Sequence, residues 1–207
     1  GELAKGMQAV GERFYGFQDE VDTAYAKTAD SQLGKLIQDR LYAEGSGYMY
    51  AQGGDAVARR EALMKQMEQD RESILSRLSA PARARADLSM TARLNQAMET
   101  ANKHAAGEGR GYLNAASEAR ITTFMNDAIY DPESRNLKMN AVDTEIRDLA
   151  QREGWPPEVV ALKRRQARSE VHTGIISRIA NADPAAALDY LRKNKDDMLG
   201  ETVASLE

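Results

Sequence analysis

Three proline-containing steps divide the C-terminal half of this chain into segments of helix length. They are Asp131-Pro132, the run from Gly154 to Pro157, and Asp183-Pro184. Between them, apolar residues recur at three- and four-residue intervals, and no segment alternates apolar with polar residues as a half-buried strand does. Because proline has no amide hydrogen and restricts the residue before it, helices are expected to end at each step. The pattern predicts an all-α fold whose C-terminal half consists of stacked helical hairpins.

The N-terminal half is predicted to form long helices. Residues 2–44 carry apolar side chains at helical spacing until a glycine-rich break at 45–54, and Asp55 is placed to cap the helix that follows. Another helix is predicted to start at Ser79-Ala80-Pro81, where the serine can cap the helix and the proline occupies its first turn. The expected architecture is an elongated helical bundle.

A run of three glycines is expected to break or kink the middle of the chain. Each of Gly107, Gly109 and Gly111 weakens a helix by about 1 kcal/mol relative to alanine. We therefore divide the chain into a long-helix region at 1–106 and a helical-hairpin region at 107–207.

The large apolar residues predict a thin core. Leu, Ile, Val and Phe account for only 36 of the 207 residues, so the helices are expected to pack along narrow, alanine-rich seams. An elongated shape or an oligomer is expected to follow from so small a core.

Composition excludes several classes of function. Acidic residues outnumber basic ones by 32 to 28, which argues against nucleic acid as the main ligand, because phosphate binding needs clustered positive charge. The chain has no cysteine, no apolar run of about 18–20 residues and no signal-peptide pattern. It opens on Gly1 and closes on Leu206-Glu207. These ends predict an excised segment of a longer protein, with Leu206-Glu207 as a cloning remnant.

No motif in the sequence indicates catalysis or a cofactor. His104 and Glu108 have the i,i+4 spacing of a metal-ligand pair, but a zinc site needs a third ligand and the only other histidine is His172. The glycine run at 107–111 lacks the Lys and Ser/Thr of a phosphate loop, and the motifs of serine hydrolases and zincins are missing as well. We predict a non-enzymatic protein with no catalytic residues, no metal and no cofactor.

Two groups of residues are candidates for docking a partner. Tyr48, Met49 and Tyr50 lie in the glycine-rich break, where aromatic side chains either fold back on the core, which we favour, or dock on a partner. The second group is the densest basic cluster, with members Lys163, Arg164, Arg165 and Arg168. It is interpreted first as the solvated outer face of an amphipathic helix, with protein docking and phosphate or DNA binding as alternatives.

A series of turns and short motifs runs along most of residues 40–200. They are Gly47-Tyr48, Gly53-Gly54-Asp55-Ala56, Leu78-Ser79-Ala80-Pro81, His104 with Glu108, the run Ala116–Ile121, the run Gly154–Glu158, Val171-His172 and the run Ile179–Ala187. In order and spacing they resemble a helical region of large phage virion proteins, namely the internal, DNA-ejection or tail-associated proteins that often carry a peptidoglycan-cleaving domain. This chain departs from the pattern at its glycine run, where such proteins have polar helix formers.

The resemblance implies a structural role in the virion, where such proteins help to build or line the route by which DNA enters the host. No active-site residue of the family matches a position of this chain. The expected partners are other virion proteins or copies of the chain itself, with no small-molecule substrate. The expected location is the phage particle, after synthesis in the bacterial cytoplasm and with delivery to the host envelope as a further option.

The sequence is also compatible with two other functions. One is a bacterial helical adaptor or chaperone that binds a partner peptide on its C-terminal hairpins. The other is an enzyme whose active site lies between the helical halves. Capsid, portal or tail genes beside this one would favour the virion protein over the adaptor.

Overall fold

The structure is a computed structural model that describes residues 1–206; Glu207, one half of the predicted cloning remnant, lies outside the described residues. The described residues form seven α-helices and no strand, with 88% of the chain helical, so the predicted all-α fold is confirmed. The helices are α1 (Glu2–Tyr42), α2 (Gly53–Leu75), α3 (Ala80–Tyr130), α4 (Arg135–Glu153), α5 (Pro157–Ala180), α6 (Pro184–Asn194) and α7 (Gly200–Leu206). Short 3₁₀ turns lie at Tyr48–Tyr50 and Lys195–Asp197.

The chain packs as two compact units, which we call unit 1 (Gly1–Gly109) and unit 2 (from Arg110 onward). Unit 1 contains α1, α2 and the first part of α3. Leu33, Met67 and Met90 are fully buried at its centre. The buried face of α3 consists largely of alanine, which confirms the predicted alanine-rich seams; these residues are Ala82, Ala86, Ala97, Ala101 and Ala105.

Polar contacts fix how the helices of unit 1 align. The Arg40 guanidinium on α1 donates to the Asp70 carboxylate on α2, with Nη2 2.9 Å from Oδ1. Arg93 on α3 donates to Asp30 on α1 at 2.6 Å, and this hydrogen bond lowers the pKa of the Asp30 carboxyl. Each pair holds one register between two helices, because a shift of a single turn would separate the charges.

Unit 2 contains the rest of α3 together with α4 to α7. Helices α4 and α5 form one hairpin and α5 and α6 form the next, as the proline steps predict. The core of unit 2 is divided into small apolar clusters, one around Val142 and Ile146, one around Val171 and Ile175, and one around Leu191 and its neighbours. The division of the core into separate small clusters agrees with the low content of large apolar residues.

The helix ends lie where the sequence signals predict them. Helix α3 starts beside Ser79, whose Oγ accepts a hydrogen bond from the Ala82 amide at 3.3 Å, and it ends at Tyr130 before Asp131-Pro132. Gly154 ends α4 in the left-handed conformation, with φ of 67°. Asp183 caps α6 by accepting from the Ala186 amide at 3.0 Å. Local side-chain chemistry is therefore sufficient to set these boundaries.

The predicted cap at Asp55 is wrong. Helix α2 begins at Gly53, two residues earlier, and Asp55 instead pairs with Arg59 within the helix at 3.2 Å. A tertiary contact supports the earlier start of α2, because the Gly53 amide donates to the Glu108 carboxylate of α3 at 2.8 Å. A carboxylate from another helix thus accepts from one of the first-turn amides that have no partner within the helix.

The predicted break at Gly107, Gly109 and Gly111 is also wrong, because α3 continues without interruption from Ala80 to Tyr130. Packing explains the glycine at the centre of the run. A Cβ atom on Gly109 would lie 2.9 Å from Cγ2 of Val57 on α2. The missing side chain thus lets the two helices approach closely, and packing offsets the weak helix propensity of the run.

Alanine substitutions are expected to separate the two roles of these glycines. A Cβ atom at Gly107 or Gly111 meets no atom within 4 Å, so Gly107→Ala and Gly111→Ala should each raise the free energy of unfolding by about 0.5–1 kcal/mol. Gly109→Ala should give a smaller gain or a loss, because Val57 must move. Urea denaturation followed by circular dichroism measures all three, and equal gains at the three positions would contradict the packing role of Gly109.

Candidate interaction surfaces

The first five turns of α1 project beyond the bundle of unit 1. Residues 1–20 are exposed apart from the half-buried Gly11. Contacts with α3 and the residue before it begin at Asp19, whose carbonyl accepts from Arg85 at 2.7 Å, and at the buried Asp22, whose carboxylate accepts from the Ser79 hydroxyl at 2.9 Å. We call Glu2–Gln18 the α1 overhang. At about 1.5 Å per residue it extends for about 25 Å.

The overhang carries a stripe of large apolar side chains, which we call the α1 stripe. Its members alternate in steps of four and three residues, and they are Leu3, Met7, Val10, Phe14, Phe17 and Val21. The first five are 63–84% exposed. This surface was not predicted from the sequence, although a strict seven-residue repeat is a signal that could have identified it.

The overhang is a weak helix by itself. Gly6, Gly11 and Gly16 interrupt it, each at a cost of about 1 kcal/mol relative to alanine, and isolated helices of about 12–15 residues are only marginally stable in water. An exposed apolar stripe on such a helix is an unsatisfied packing surface, because burial of the stripe would stabilise both the helix and the assembly.

The three candidate docking residues of the glycine-rich break have different surroundings. Tyr48 is only 2% exposed, and its hydroxyl donates to the Ala56 carbonyl at 2.6 Å, so this side chain folds back on the core, which is the alternative favoured from the sequence. Its ring is a core element that fills the space between α1 and α2. Met49 is half-buried and packs against the same core, and Tyr50 alone has an exposed ring.

His104 and Glu108 hold the same loop in place from α3. The His104 Nε2 atom lies 2.8 Å from the Ala51 carbonyl, and its ring packs edge-on against that of Tyr48. Glu108 accepts from Gly53 as described above. The i,i+4 spacing that resembles a metal-ligand pair therefore serves to bind backbone groups of the loop.

The predicted basic cluster is divided among several contacts. Arg168 lies 3.3 Å from the Asp143 carboxylate of α4, and Arg164 lies 3.7 Å from the same carboxylate. Arg165 donates to the Asp196 carbonyl at 3.0 Å, and Lys163 Nζ lies 5.9 Å from the centre of the Trp155 ring. Arg164 and Arg168 thus share one carboxylate, whereas Arg165 and Lys163 make separate contacts, so that each of the four cations already has a partner within the chain.

A partly apolar groove of about 420 Å³ lies between α3, α4 and α5. Its lining includes Ile121, Met125, Ile129, Leu149, Trp155 and Lys163. Trp155 is half-buried in the turn between α4 and α5, and its amide donates to the Ala150 carbonyl at 3.0 Å. We call this the Trp155 groove.

A more polar cleft of about 630 Å³ lies between α4, α5 and α6 and includes His172, Tyr190 and Asp197. His172 Nδ1 is 2.9 Å from the Tyr190 hydroxyl, and Nε2 is 4.0 Å from the Asp197 carboxylate. Burial lowers the pKa of His172, although Asp197 acts in the opposite direction. Their grouping was not predicted from the sequence, because His172 lies 18 positions from Tyr190 and 25 positions from Asp197 along the chain.

The arginines that line this cleft hold helices together. Arg135 donates to the Ala128 carbonyl at 2.9 Å, and Arg168 pairs with Asp143 and lies 3.7 Å from Asp197. Both guanidinium groups are thus bound to acceptors of the protein itself. The polar groups of the cleft therefore hold neighbouring helices together, since Arg135 joins α4 to α3, Arg168 joins α5 to α4 and His172 joins α5 to α6.

The His172 contact predicts a pH dependence of stability. Because burial lowers the pKa of His172 below its ordinary 6.5, the unfolded chain binds more protons than the folded chain, and stability should fall as the pH drops from about 7 to about 5. His172→Gln removes the titrating group and keeps a hydrogen-bond partner for Tyr190. The variant should therefore lose less stability over this range in urea denaturation; equal losses would contradict the prediction.

Among residues 1–206, no helix combines the length and the apolar character that crossing a membrane requires.

Comparison with protein-family models, with curated proteins and with solved structures finds no significant match to this chain. The resemblance to phage virion proteins therefore stays a prediction.

Proposed function

We propose that this chain is a non-enzymatic assembly module of a phage or prophage virion protein, of the internal, ejection or tail-associated kind. It binds through the α1 stripe, which a helix of another virion protein or of a second copy covers. The basis for assembly is hydrophobic burial, at about 25 cal/mol for each Å² of apolar surface removed from water.

The observation that carries this proposal is the exposed α1 overhang. A helix weakened by three glycines yet lined by large apolar residues at heptad positions is typical of a segment that becomes stable on association. The polar cleft of unit 2 favours a structural role as well, because His172, Arg135 and Arg168 contact other groups of the same unit. The acidic net charge and the paired arginines argue against nucleic acid as the main ligand.

The virion setting rests on the resemblance of turns and spacing over residues 40–200. Its test is the composition of purified particles from a host that carries the gene. Mass spectrometry should find peptides of this chain in the particles at a stoichiometry that survives washing and nuclease treatment. The proposal would be refuted if the chain were absent from intact particles, or if the purified chain alone cleared peptidoglycan.

A bacterial adaptor or chaperone is the second candidate, and the Trp155 groove favours it. The apolar side chains that line the groove, among them Ile121, Met125 and Ile129, offer a surface for the apolar face of an amphipathic peptide. In that case Trp155→Ala should abolish partner binding, whereas substitutions in the α1 stripe should leave it unchanged. The opposite pattern would favour assembly through the stripe.

A further inference from the structure

We propose that the α1 stripe pairs with the α1 stripe of a second copy of this chain, as an antiparallel two-helix coiled coil. This inference rests on the proposed assembly function and names the partner of that surface. It concerns the face of α1 that carries Leu3 to Val21, which differs from the face that packs inside unit 1 through Asp22, Ala26 and Ala29.

The spacing of the stripe is that of a coiled coil. In heptad lettering, Met7, Phe14 and Val21 occupy a positions, and Leu3, Val10 and Phe17 occupy d positions. A strict seven-residue repeat keeps its seam aligned with a partner helix that supercoils around it. A helix that packs on a globular surface carries a wider stripe, with large apolar residues at e or g positions as well, whereas those positions of the overhang hold no apolar side chain larger than alanine.

The residues beside the seam allow a second copy to approach. Most e and g positions of the overhang are small or uncharged, namely Ala4, Gly6, Gly11 and Gln18. The charged g residues at this end of α1 are Arg13 and Glu20, which have opposite signs. Two copies can therefore meet without like charges facing each other, provided that the register places arginine opposite glutamate.

One antiparallel register satisfies this condition. When Phe14 of each copy packs against Phe17 of the other, Arg13 of each copy faces Glu20 of the other, so that the ion pair forms twice. A shift by one heptad places either two Arg13 residues or two Glu20 residues opposite each other. The same register also covers Tyr25, whose ring is otherwise exposed. A parallel pair would set Arg13 beside Gln18 and would make no ion pair.

The size of the contact fits a modest dimer. Six large side chains from each copy, at roughly 100 Å² each, bury on the order of 1,200 Å² in total, which is the lower end for specific interfaces. We expect a dissociation constant of about 1–50 µM, because ordering the weak overhang opposes part of the gain from burial.

The test measures the mass of the full chain at concentrations from about 1 to about 200 µM, a range that brackets the expected dissociation constant. Sedimentation equilibrium should show a monomer at the low end and a dimer at the high end. The Phe14→Asp/Phe17→Asp double variant should be monomeric throughout, with the buried part of the fold retained. Tyr15→Asp is the matched control, because Tyr15 is 74% exposed on the same turns but lies off the seam; its dimer should weaken less than tenfold.

Two further measurements test the antiparallel orientation of the paired α1 helices, one by charge reversal and one by a distance between labels. Arg13→Glu should weaken the dimer several-fold, and Arg13→Glu/Glu20→Arg should restore it. Because the chain has no cysteine, a spin label at Ala4→Cys reports a single distance. The antiparallel register separates the two labels by 23 residues, or about 35 Å, whereas a parallel pair holds them within about 20 Å.

Each outcome decides one point. A monomer at the highest concentration, or a dimer that survives the double aspartate variant, overturns pairing through the stripe. A dimer with the short label distance overturns the antiparallel orientation. Absence of the chain from purified particles refutes the virion function but not the pairing, so the two proposals fail separately.

Discussion

Replacing Tyr48 with alanine is expected to lower the free energy of unfolding by about 3–5 kcal/mol. The side chain is 2% exposed, and its hydroxyl donates to the Ala56 carbonyl at 2.6 Å. Truncation removes the ring from between α1 and α2 and leaves a cavity beside His104, against which the ring packs edge-on. Chemical denaturation followed by circular dichroism measures the loss.

Tyr50 provides the matched control for this prediction. It lies two residues away in the same 3₁₀ turn and is 56% exposed, so Tyr50→Ala should change stability by less than about 0.5 kcal/mol. Tyr48→Phe should cost about 1 kcal/mol, because it removes only the hydrogen bond. Similar effects for the two alanine variants would show that Tyr48 does not belong to the core.

Gly47→Ala is the second substitution with a large expected effect, a loss of about 3 kcal/mol. A Cβ atom at this position would lie 2.6 Å from the Leu41 carbonyl oxygen and 2.7 Å from the Ala43 nitrogen. Both are backbone atoms at the end of α1, which cannot move aside as a flexible side chain can. The Gly47 amide also donates to the Ala43 carbonyl at 2.7 Å, so the turn cannot open without losing that bond.

Gly54 is the control for Gly47, because a Cβ atom there meets no atom within 4 Å. Gly54→Ala should leave stability unchanged or raise it by up to about 1 kcal/mol, since the residue lies in the first turn of α2. Gly45 has φ of 70° and open space around it, so Gly45→Ala should cost about 1 kcal/mol through backbone strain alone. A loss at Gly47 no larger than that at Gly45 would contradict the proposed clash.

These two predictions also bear on function. If both losses are observed, the loop between α1 and α2 belongs to the packed core of unit 1 and is not a flexible docking segment. The most exposed apolar surface of the unit is then the α1 stripe, which strengthens the case for assembly through α1 over docking through the loop.

The sequence by itself determined where most helices begin and end. Proline, glycine, serine and aspartate act within a few residues of their own position, so Ser79, Asp131-Pro132, Gly154 and Asp183 set boundaries that no tertiary contact has to supply. The helical period and the shortage of large apolar residues likewise predicted an all-α fold with alanine-rich seams. These properties are local or compositional, and they can be read from the order of residues.

Only the tertiary structure decided which side chains are buried or paired and which stay exposed to solvent. Gly109 lies inside a continuous helix because Val57 packs against the space where a Cβ atom would be, and Tyr48 is a core residue because α1 and α2 close over it. Arg164 and Arg168 of α5 are paired because α4 and the second 3₁₀ turn bring carboxylates to them. The α1 stripe stays exposed because α3 starts level with Asp22 rather than Leu3. Contacts between residues distant in sequence follow from how helices align in space, and no local pattern specifies that alignment.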